Sequence, residues 1–548
     1  MAPIKRGWFT AWLDRTLTWM SGLPKESCSY TVDRLQIPMP DGINIAADIY
    51  QPQELEPLGT VLVRTPYGLS LPTALVNARP FAARGYVVLL SSCRGTGASE
   101  GQFDAARDEA ADGQAIVSWM KQQTWYTGAF ATIGTSYLGF TQWSLLSDTP
   151  ADMKAAVINT GPHDFSKFVW GTGAFNSDAI AWADFMSRMN SSIPLPLMLL
   201  LPSTPIRPIF DSVPLLKSVD AHFKGTAPTW LREIISHSDL SDPYWEPLQH
   251  TTALRRADIP ILLTTGWYDL ELPDVLEQYY TLESRGVNVA LNIGPWTHIG
   301  AGGGGTTAGT LAWLDQYLAG KPDRDRPSPV RVFVTGAQEW RNIPRWPPES
   351  RPYELMLGPD KKLSTSPPAP EAGESEFEFN PADPTPDTGG PGLFSTSVNP
   401  DTSLESRPDV LSFTTEPLDR DVLVCGKPTV SVYHSTSHPY ADLLVRISEV
   451  DPKGVSRSIA EKFQRLDTKP RGEGVPLHLT LNDCAHRFGR GSKIRLLIAG
   501  GSHPRFIRNF GTGDNPATGT SLNPVWHTIR HNAVYKSRIN LPLVTSLD

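Results

Sequence analysis

Cysteine is scarce: Cys28, Cys93, Cys425 and Cys484 are scattered over 548 positions. No C-x-x-C and no Cys/His ligand spacing appears, which argues against a zinc site. The four supply no disulfide framework either, which favours a reducing compartment and places the chain in the cytoplasm. Long apolar runs are also missing, and none reaches the roughly 18 residues that a membrane span needs. The longest candidate, 193–202, holds three prolines. Near the N-terminus, Asp14 and Arg15 cut the apolar stretch Gly7-Trp8-Phe9-Thr10-Ala11-Trp12-Leu13, and no A-x-A-like site follows. A short amphipathic helix packed on the body is expected there, not a signal peptide. Positive charge is not in excess: 49 basic against 57 acidic residues leave a formal net charge of −8. That balance gives no support for general nucleic-acid binding. No internal repeat is present.

What is there reads as a large globular protein. Hydrophobic residues make up 40% and charged residues 19%. At about 150 residues per domain the length allows three to four domains. The 50 prolines and 44 glycines promise many turns and loops, and the 16 tryptophans suggest aromatic-lined pockets or interfaces.

Residues 33–50 alternate around Pro40-Asp41-Gly42, a hairpin signal. Strand patterns follow at 60–63, 86–90, 131–133 and 155–158. Helical patterns at 72–84, 106–123 and 137–146 separate them, the first stopping at Gly85. Such alternation implies a mostly parallel sheet flanked by helices. The rhythm breaks after Pro162, and 163–250 holds aromatic, proline-broken helical pieces. It resumes with strands at 259–263 and 287–293 and helices at 274–284 and 307–319. From 326 onward, Pro-rich stretches separate short β-like runs such as 330–334, 429–433, 443–447 and 494–498. The reading is an α/β domain over 1–162 and 251–325, a helical insertion over 163–250, and an all-β sandwich or jelly roll over 326–548.

Gly134-Thr135-Ser136-Tyr137-Leu138-Gly139 follows a strand and opens a helix, the context of a nucleophile elbow. The second glycine comes three residues after the serine instead of two. An ordinary strand-to-helix turn is the plain alternative. Partners decide between them. Asp269 stands just past the strand at 259–263, in Gly266-Trp267-Tyr268-Asp269. His298 stands just past the next strand, in Gly294-Pro295-Trp296-Thr297-His298, 29 residues later. Serine, acid and histidine occur in the order of the α/β-hydrolases and at the same sheet edge. In that arrangement His298 takes the Ser136 proton and Asp269 fixes the imidazole tautomer. The backbone N–H of Tyr137 would hold the oxyanion, joined by the phenol of Tyr67 from the loop after 60–63. Other histidines (His163, His434, His486, His503) and the acidic run Glu371, Glu374, Glu376 and Glu378 show no usable spacing and read as structural or solvated.

At these residues the chain resembles the cocaine esterase and X-Pro dipeptidyl peptidase family of serine hydrolases, which also holds α-amino ester hydrolases and glutaryl-cephalosporin acylases. Its elbow reads G-x-S-Y-x-G, as Gly134 to Gly139 does. Arg64-Thr65-Pro66-Tyr67-Gly68 is similar to its oxyanion-tyrosine loop, and Arg94 to Gly101 to its R-G-x-x-x-S-x-G segment. The two motifs ending in Asp269 and His298 are similar to its acid and histidine motifs, and Gly336 to Pro347 to the entry of its C-terminal domain. The resemblance implies an α/β-hydrolase sheet with an inserted helical cap and a C-terminal jelly roll. It also implies acyl transfer to water with neither metal nor organic cofactor. A homo-oligomer is compatible with it, although no stretch specifies an interface. Two departures stand out. Ser92 takes a position where family members often carry Asp. Leu138 and Gly139 follow the serine-tyrosine pair where α-amino ester hydrolases place a carboxylate.

The acyl pocket is expected to be apolar or aromatic, from Phe165, Trp170 and Trp182 of the insertion and Trp267 beside the triad. The resemblance sets a cap tryptophan, Trp170, against the acyl group; the plain alternative is that these aromatics are core. Three functions compete. The first is hydrolysis of carboxylic esters with a hydrophobic or aromatic acyl group. The second is amide or peptide hydrolysis, as in an X-Pro dipeptidyl peptidase or β-lactam acylase, with Glu271 as a candidate for a substrate ammonium. The third is an inert hydrolase domain beside a binding jelly roll.

Overall fold

The computed structural model describes residues 4–69, 71–189, 206–322, 326, 328–368, 373–395, 399–466, 468, 472 and 474–547. The apolar run at 193–202 and Glu371 lie outside the described residues. Among the described residues, no helix is long and apolar enough to cross a membrane.

The chain forms two compact units. The first comprises Met1–Ser166, Asp184–Leu201 and Ser241–Pro329; the second comprises Lys167–Ala183, Pro202–Leu240 and Val330–Asp548. The helical insertion is thus divided between them.

The first unit is built on strands β1 (Ile4–Lys5), β2 (Tyr30–Pro38), β3 (Asn44–Pro52), β4 (Thr60–Thr65), β5 (Val87–Ser92), β6 (Phe130–Thr135), β7 (Met153–Asn159), β8 (Ile261–Tyr268) and β9 (Val289–Thr297). They lie side by side in the order β1-β2-β3-β5-β4-β6-β7-β8-β9. The β2–β3 hairpin and the β3–β5 pair are antiparallel. Every pair from β5 through β4 to β9 is parallel. A sheet covered on both faces needs apolar residues in succession, not in alternation. Accordingly β4 and β5 are buried at every position. Val61, Val88, Ile133, Val157 and Leu262 share one core with Leu311 and Leu314 of the helix Thr307–Tyr317. The helix expected over 72–84 is broken into Leu71–Asn77 and Arg79–Ala82. Pro80, with no N–H to give, opens the second piece, and Gly85 ends it at φ 96°.

The second unit is β-rich. Two antiparallel sheets close on a common core. One includes Arg351–Leu357, Thr429–Thr436 and Arg538–Leu543; the other holds Val410–Thr414, Asp442–Val450, Ser456–Arg465 and Lys493–Ala499. Leu355, Val430 and Ile539 of the first meet Leu411, Leu443 and Leu496 of the second. Glu374, Glu376 and Glu378 take the solvent face of the strand Glu374–Phe379, whose Phe377 and Phe379 point inward. Pieces of the insertion are bound into this unit by backbone hydrogen bonds. Arg465 N–H donates to the Thr172 carbonyl at 2.7 Å, and Ile507 N–H to that of Phe175 at 2.9 Å.

The N-terminal helix forms over Trp8–Met20, but it differs from expectation in the face it packs. Asp14 is the buried residue, paired with Arg6 and Arg79 at 2.7 Å each and accepting from the Tyr30 hydroxyl at 2.8 Å. The aromatic side faces out.

Candidate active site

An unassisted serine hydroxyl is a poor nucleophile at neutral pH and needs an adjacent base. The backbone here supplies the placement. β6 ends at Thr135, and Ser136 turns the chain into the helix Tyr137–Leu145 with φ 61° and ψ −122°. This conformation costs a non-glycine residue roughly 1–3 kcal/mol. Two bonds hold it: Ser136 N–H donates to the Asn159 carbonyl at 2.8 Å, and the Ser136 carbonyl accepts from Gly139 N–H at 2.7 Å. The glycine spacing has a packing cause. A Cβ on Gly139 would sit 2.5 Å from the Gly161 Cα, and one on Gly134 would collide with the Leu138 Cβ. The helix crosses the end of β7 at Gly139, not one residue earlier. Leu138 is therefore free to enter the sheet core.

Asp269 follows the last residue of β8 and is fully buried. Its Oδ2 accepts from the Thr265 hydroxyl at 2.9 Å, and its Oδ1 from Glu271 N–H at 3.1 Å. Glu271 belongs to the turn that seats this carboxylate. His298 follows β9 directly. Its Nδ1 lies 2.8 Å from Asp269 Oδ1, and its Nε2 lies 2.8 Å from Ser136 Oγ. A carboxylate only accepts, so Nδ1–H donates to Asp269 and Nε2 is left to accept from the serine O–H. The adjacency of β6, β7, β8 and β9 brings the three strand ends, and so the three side chains, together.

Tyr67 stands two residues beyond β4, which pairs with β6 in parallel. Its N–H donates to the Thr65 hydroxyl at 3.1 Å, and its half-buried ring lies 6.0 Å from that of Phe185. The side chain of Tyr137 is turned away into a buried network. Its hydroxyl accepts from Ala106 N–H at 2.8 Å and donates to Glu109 at 2.9 Å. Glu109 also pairs with Arg64. Burial, with the charge of Glu109, pushes the Tyr137 phenol well above its ordinary range and keeps it a donor. Sequence reasoning missed Glu109; the available signal was an acidic residue in the first turn of a helix, here Glu109–Met120, after an arginine-bearing strand end. Ser92, the family departure, donates to the Thr96 carbonyl at 3.0 Å, while Arg94 grips Asp112 at 2.6 and 3.1 Å.

The aromatics separate. Phe165 and Trp267 belong to the triad's unit and are buried; the Phe165 ring lies edge-on to Phe140 at 6.1 Å. Trp170 and Trp182 belong to the other unit. The Trp170 indole N–H donates to the Ile234 carbonyl at 2.7 Å, and its ring meets Phe175 at 5.2 Å. Trp182 packs on Trp230 at 5.1 Å. His163, Asp274 and Glu277 bring potential ligand atoms within 4.8 Å of one another. His163 Nδ1 and backbone N–H both engage Asp274 Oδ2 at 2.8 Å, and Gln278 donates to the same oxygen at 3.0 Å, so the group reads as a hydrogen-bond network.

A strained serine in line with an imidazole and a buried carboxylate, on the edge of a largely parallel sheet, puts the molecule among the serine hydrolases of the α/β-hydrolase type. Comparison with known proteins narrows this. Residues 41–300 match the family model of the X-Pro dipeptidyl-peptidase (S15 family), and residues 323–540 match that of the X-Pro dipeptidyl-peptidase C-terminal non-catalytic domain. The chain belongs to this family. It is 26% identical to the cocaine esterase of Rhodococcus sp., over 88% of this chain and 93% of that protein. Among solved structures, an aminopeptidase from a marine sediment Thaumarchaeota archaeon superposes with a TM-score of 0.82 at 22% identity. An α-amino acid ester hydrolase does so with 0.81 at 22%. Each match covers 95% of this chain and 98% of the other, and both are likenesses of fold.

Proposed function

We propose that this serine hydrolase cleaves carboxylic esters through an acyl-enzyme, with Ser136 as nucleophile, His298 as general base and then acid, and Asp269 as the group that orients and stabilises the imidazolium. The observation that carries the reading is the unbroken line of two 2.8 Å contacts from Ser136 Oγ through His298 to Asp269 Oδ1. As Ser136 Oγ attacks the ester carbonyl, its proton passes to His298 Nε2, which returns it to the departing alcohol. Water then enters by the same route and releases the acid. The backbone N–H of Tyr137 and the phenol of Tyr67 receive the oxyanion. A hydrophobic or aromatic acyl group suits Phe165 and Trp267, two buried aromatics of the triad's own unit. Four free thiols, in Cys28, Cys93, Cys425 and Cys484, support a reducing, cytoplasmic setting.

The test is labelling with a fluorophosphonate, adduct mapping by mass spectrometry, and turnover of a p-nitrophenyl ester and its matching anilide, in the native chain and in Ser136→Ala. An adduct confined to Ser136, ester turnover lost in the variant and a slower anilide are expected. Equal turnover in both proteins would sink the assignment; a faster anilide would transfer it to amides.

A further inference from the structure

The helix Trp8–Met20 has its polar side inward and its aromatic side outward. Asp14 is locked by Arg6, Arg79 and Tyr30, and this anchor fixes which face is presented. Trp8 is 83% exposed, Trp19 82%, Met20 70%, and Phe9 and Trp12 57% each. At 3.6 residues per turn, Trp8, Trp12, Arg15 and Trp19 fall along one stripe with Phe9 and Met20 beside it. The Phe9 ring lies 5.9 Å from both Trp8 and Trp12, so the aromatics form one patch. A contiguous exposed apolar patch marks an interaction surface.

Charge selects the partner. Lys5, Arg15 and Lys25, within the helix or close to it along the chain, are exposed. The carboxylates of the segment are engaged: Asp14 by Arg6 and Arg79, Glu26 by Arg6 and Arg15. Residues 4–26 hold Lys5, Arg6, Arg15 and Lys25 against Asp14 and Glu26, an excess of two positive charges, although the chain as a whole carries −8. Two copies meeting through this face would set cations against cations. Indoles combine an apolar body with a polar N–H and settle at the headgroup layer of a bilayer, where lysine and arginine reach lipid phosphates.

We propose that this face docks on an anionic lipid surface, with the helix lying in the headgroup layer and its stripe of tryptophans turned to the acyl chains. Docking would hold the hydrolase at a membrane surface, which is a place to meet apolar esters.

The full-length protein is sedimented with phosphatidylcholine vesicles, with and without phosphatidylglycerol, while tryptophan emission is recorded. The native chain is expected to pellet with the anionic vesicles with a blue-shifted emission, and to be released by salt. Trp8→Ser/Trp12→Ser/Trp19→Ser is expected to bind at least about tenfold more weakly, and Lys5→Gln and Lys25→Gln about fivefold more weakly each. Far-UV circular dichroism establishes that the variants are folded. A native chain left in the supernatant, equal binding to neutral vesicles, or undiminished binding of the folded tryptophan variant would overturn the proposal. So would a native dimer, seen by light scattering, that the tryptophan variant turns into a monomer, because a second copy would then cover the face.

Discussion

Tyr67 and Tyr137 sit in adjoining loop and helix starts at the end of the sheet that carries Ser136, and the proposed mechanism gives their hydroxyls different tasks. Tyr137 contributes its backbone N–H to the proposed oxyanion site, while its phenol is spent on Ala106 and Glu109. Tyr67 would contribute the phenol itself. Tyr67→Phe is therefore expected to lower kcat/KM by about 10²–10³. Tyr137→Phe is expected to keep turnover and to cost stability. The N–H remains, but the buried Glu109 loses a donor, at about 1–3 kcal/mol of stability. Ester turnover and urea unfolding on both variants check the pair, and full activity in Tyr67→Phe would remove it from the mechanism. At this scale the meeting of Ser136, Asp269 and His298 was legible because each follows a strand directly, and strand ends can be read from short apolar runs. Glu109 was not, because a lone acidic residue near a helix start usually faces water. For aromatics such as Trp170 and Trp182 the role was not legible, because nothing in a sequence tells a core indole from a pocket indole.

At the scale of elements, the elbow depends on how closely the helix Tyr137–Leu145 crosses β7. Gly139→Ala puts a methyl 2.5 Å from the Gly161 Cα, and neither backbone can withdraw without moving Ser136. The expected cost is about 1–3 kcal/mol, together with a loss of turnover as Ser136 Oγ leaves its contact with His298. Gly305→Ala, where a Cβ meets nothing within 4 Å, is the control and should stay within about 0.5 kcal/mol of the native chain. Urea unfolding of both decides it; equal midpoints would mean that the crossing has slack. The same crossing explains why glycine stands three residues after the serine, a spacing the motif displayed but could not explain. The parallel strands of the first unit were legible from their apolar runs. The break between 71–77 and 79–82 was written in Pro80 but overridden by the surrounding helical period. The orientation of Trp8–Met20 was illegible, because periodicity reveals a face but not its direction. That direction rests on Asp14 meeting Arg79, some 65 residues away along the chain.

For the whole molecule, each unit carries a histidine that folds uncharged. In the first unit, burial pushes His250 down to about 4, with His163 nearby adding to it. In the second unit, burial pushes His503 down to about 4 against the opposing hydrogen bond to Asp211. An unfolded histidine titrates near 6.5. Between about 6.5 and about 4 the unfolded chain therefore binds protons that the folded chain refuses. Stability is complete above that window and falls with pH through it, by the order of 3 kcal/mol for each histidine. Below it a second loss begins: Glu461, buried and held down to about 2 by Arg446 and Arg505, gives up its ion pairs as it protonates. Acid should thus weaken both units over one shared range, although the division of residues 163–250 between them was invisible in sequence, being made by pairings such as Thr172 with Arg465. Urea midpoints measured from about pH 7 to about pH 4.5 should fall steadily for the native chain. The slope should be shallower in His250→Asn and shallowest in His250→Asn/His503→Asn. A native midpoint that holds level through this range, or a double variant with the native slope, would show that these two histidines do not set the acid limit.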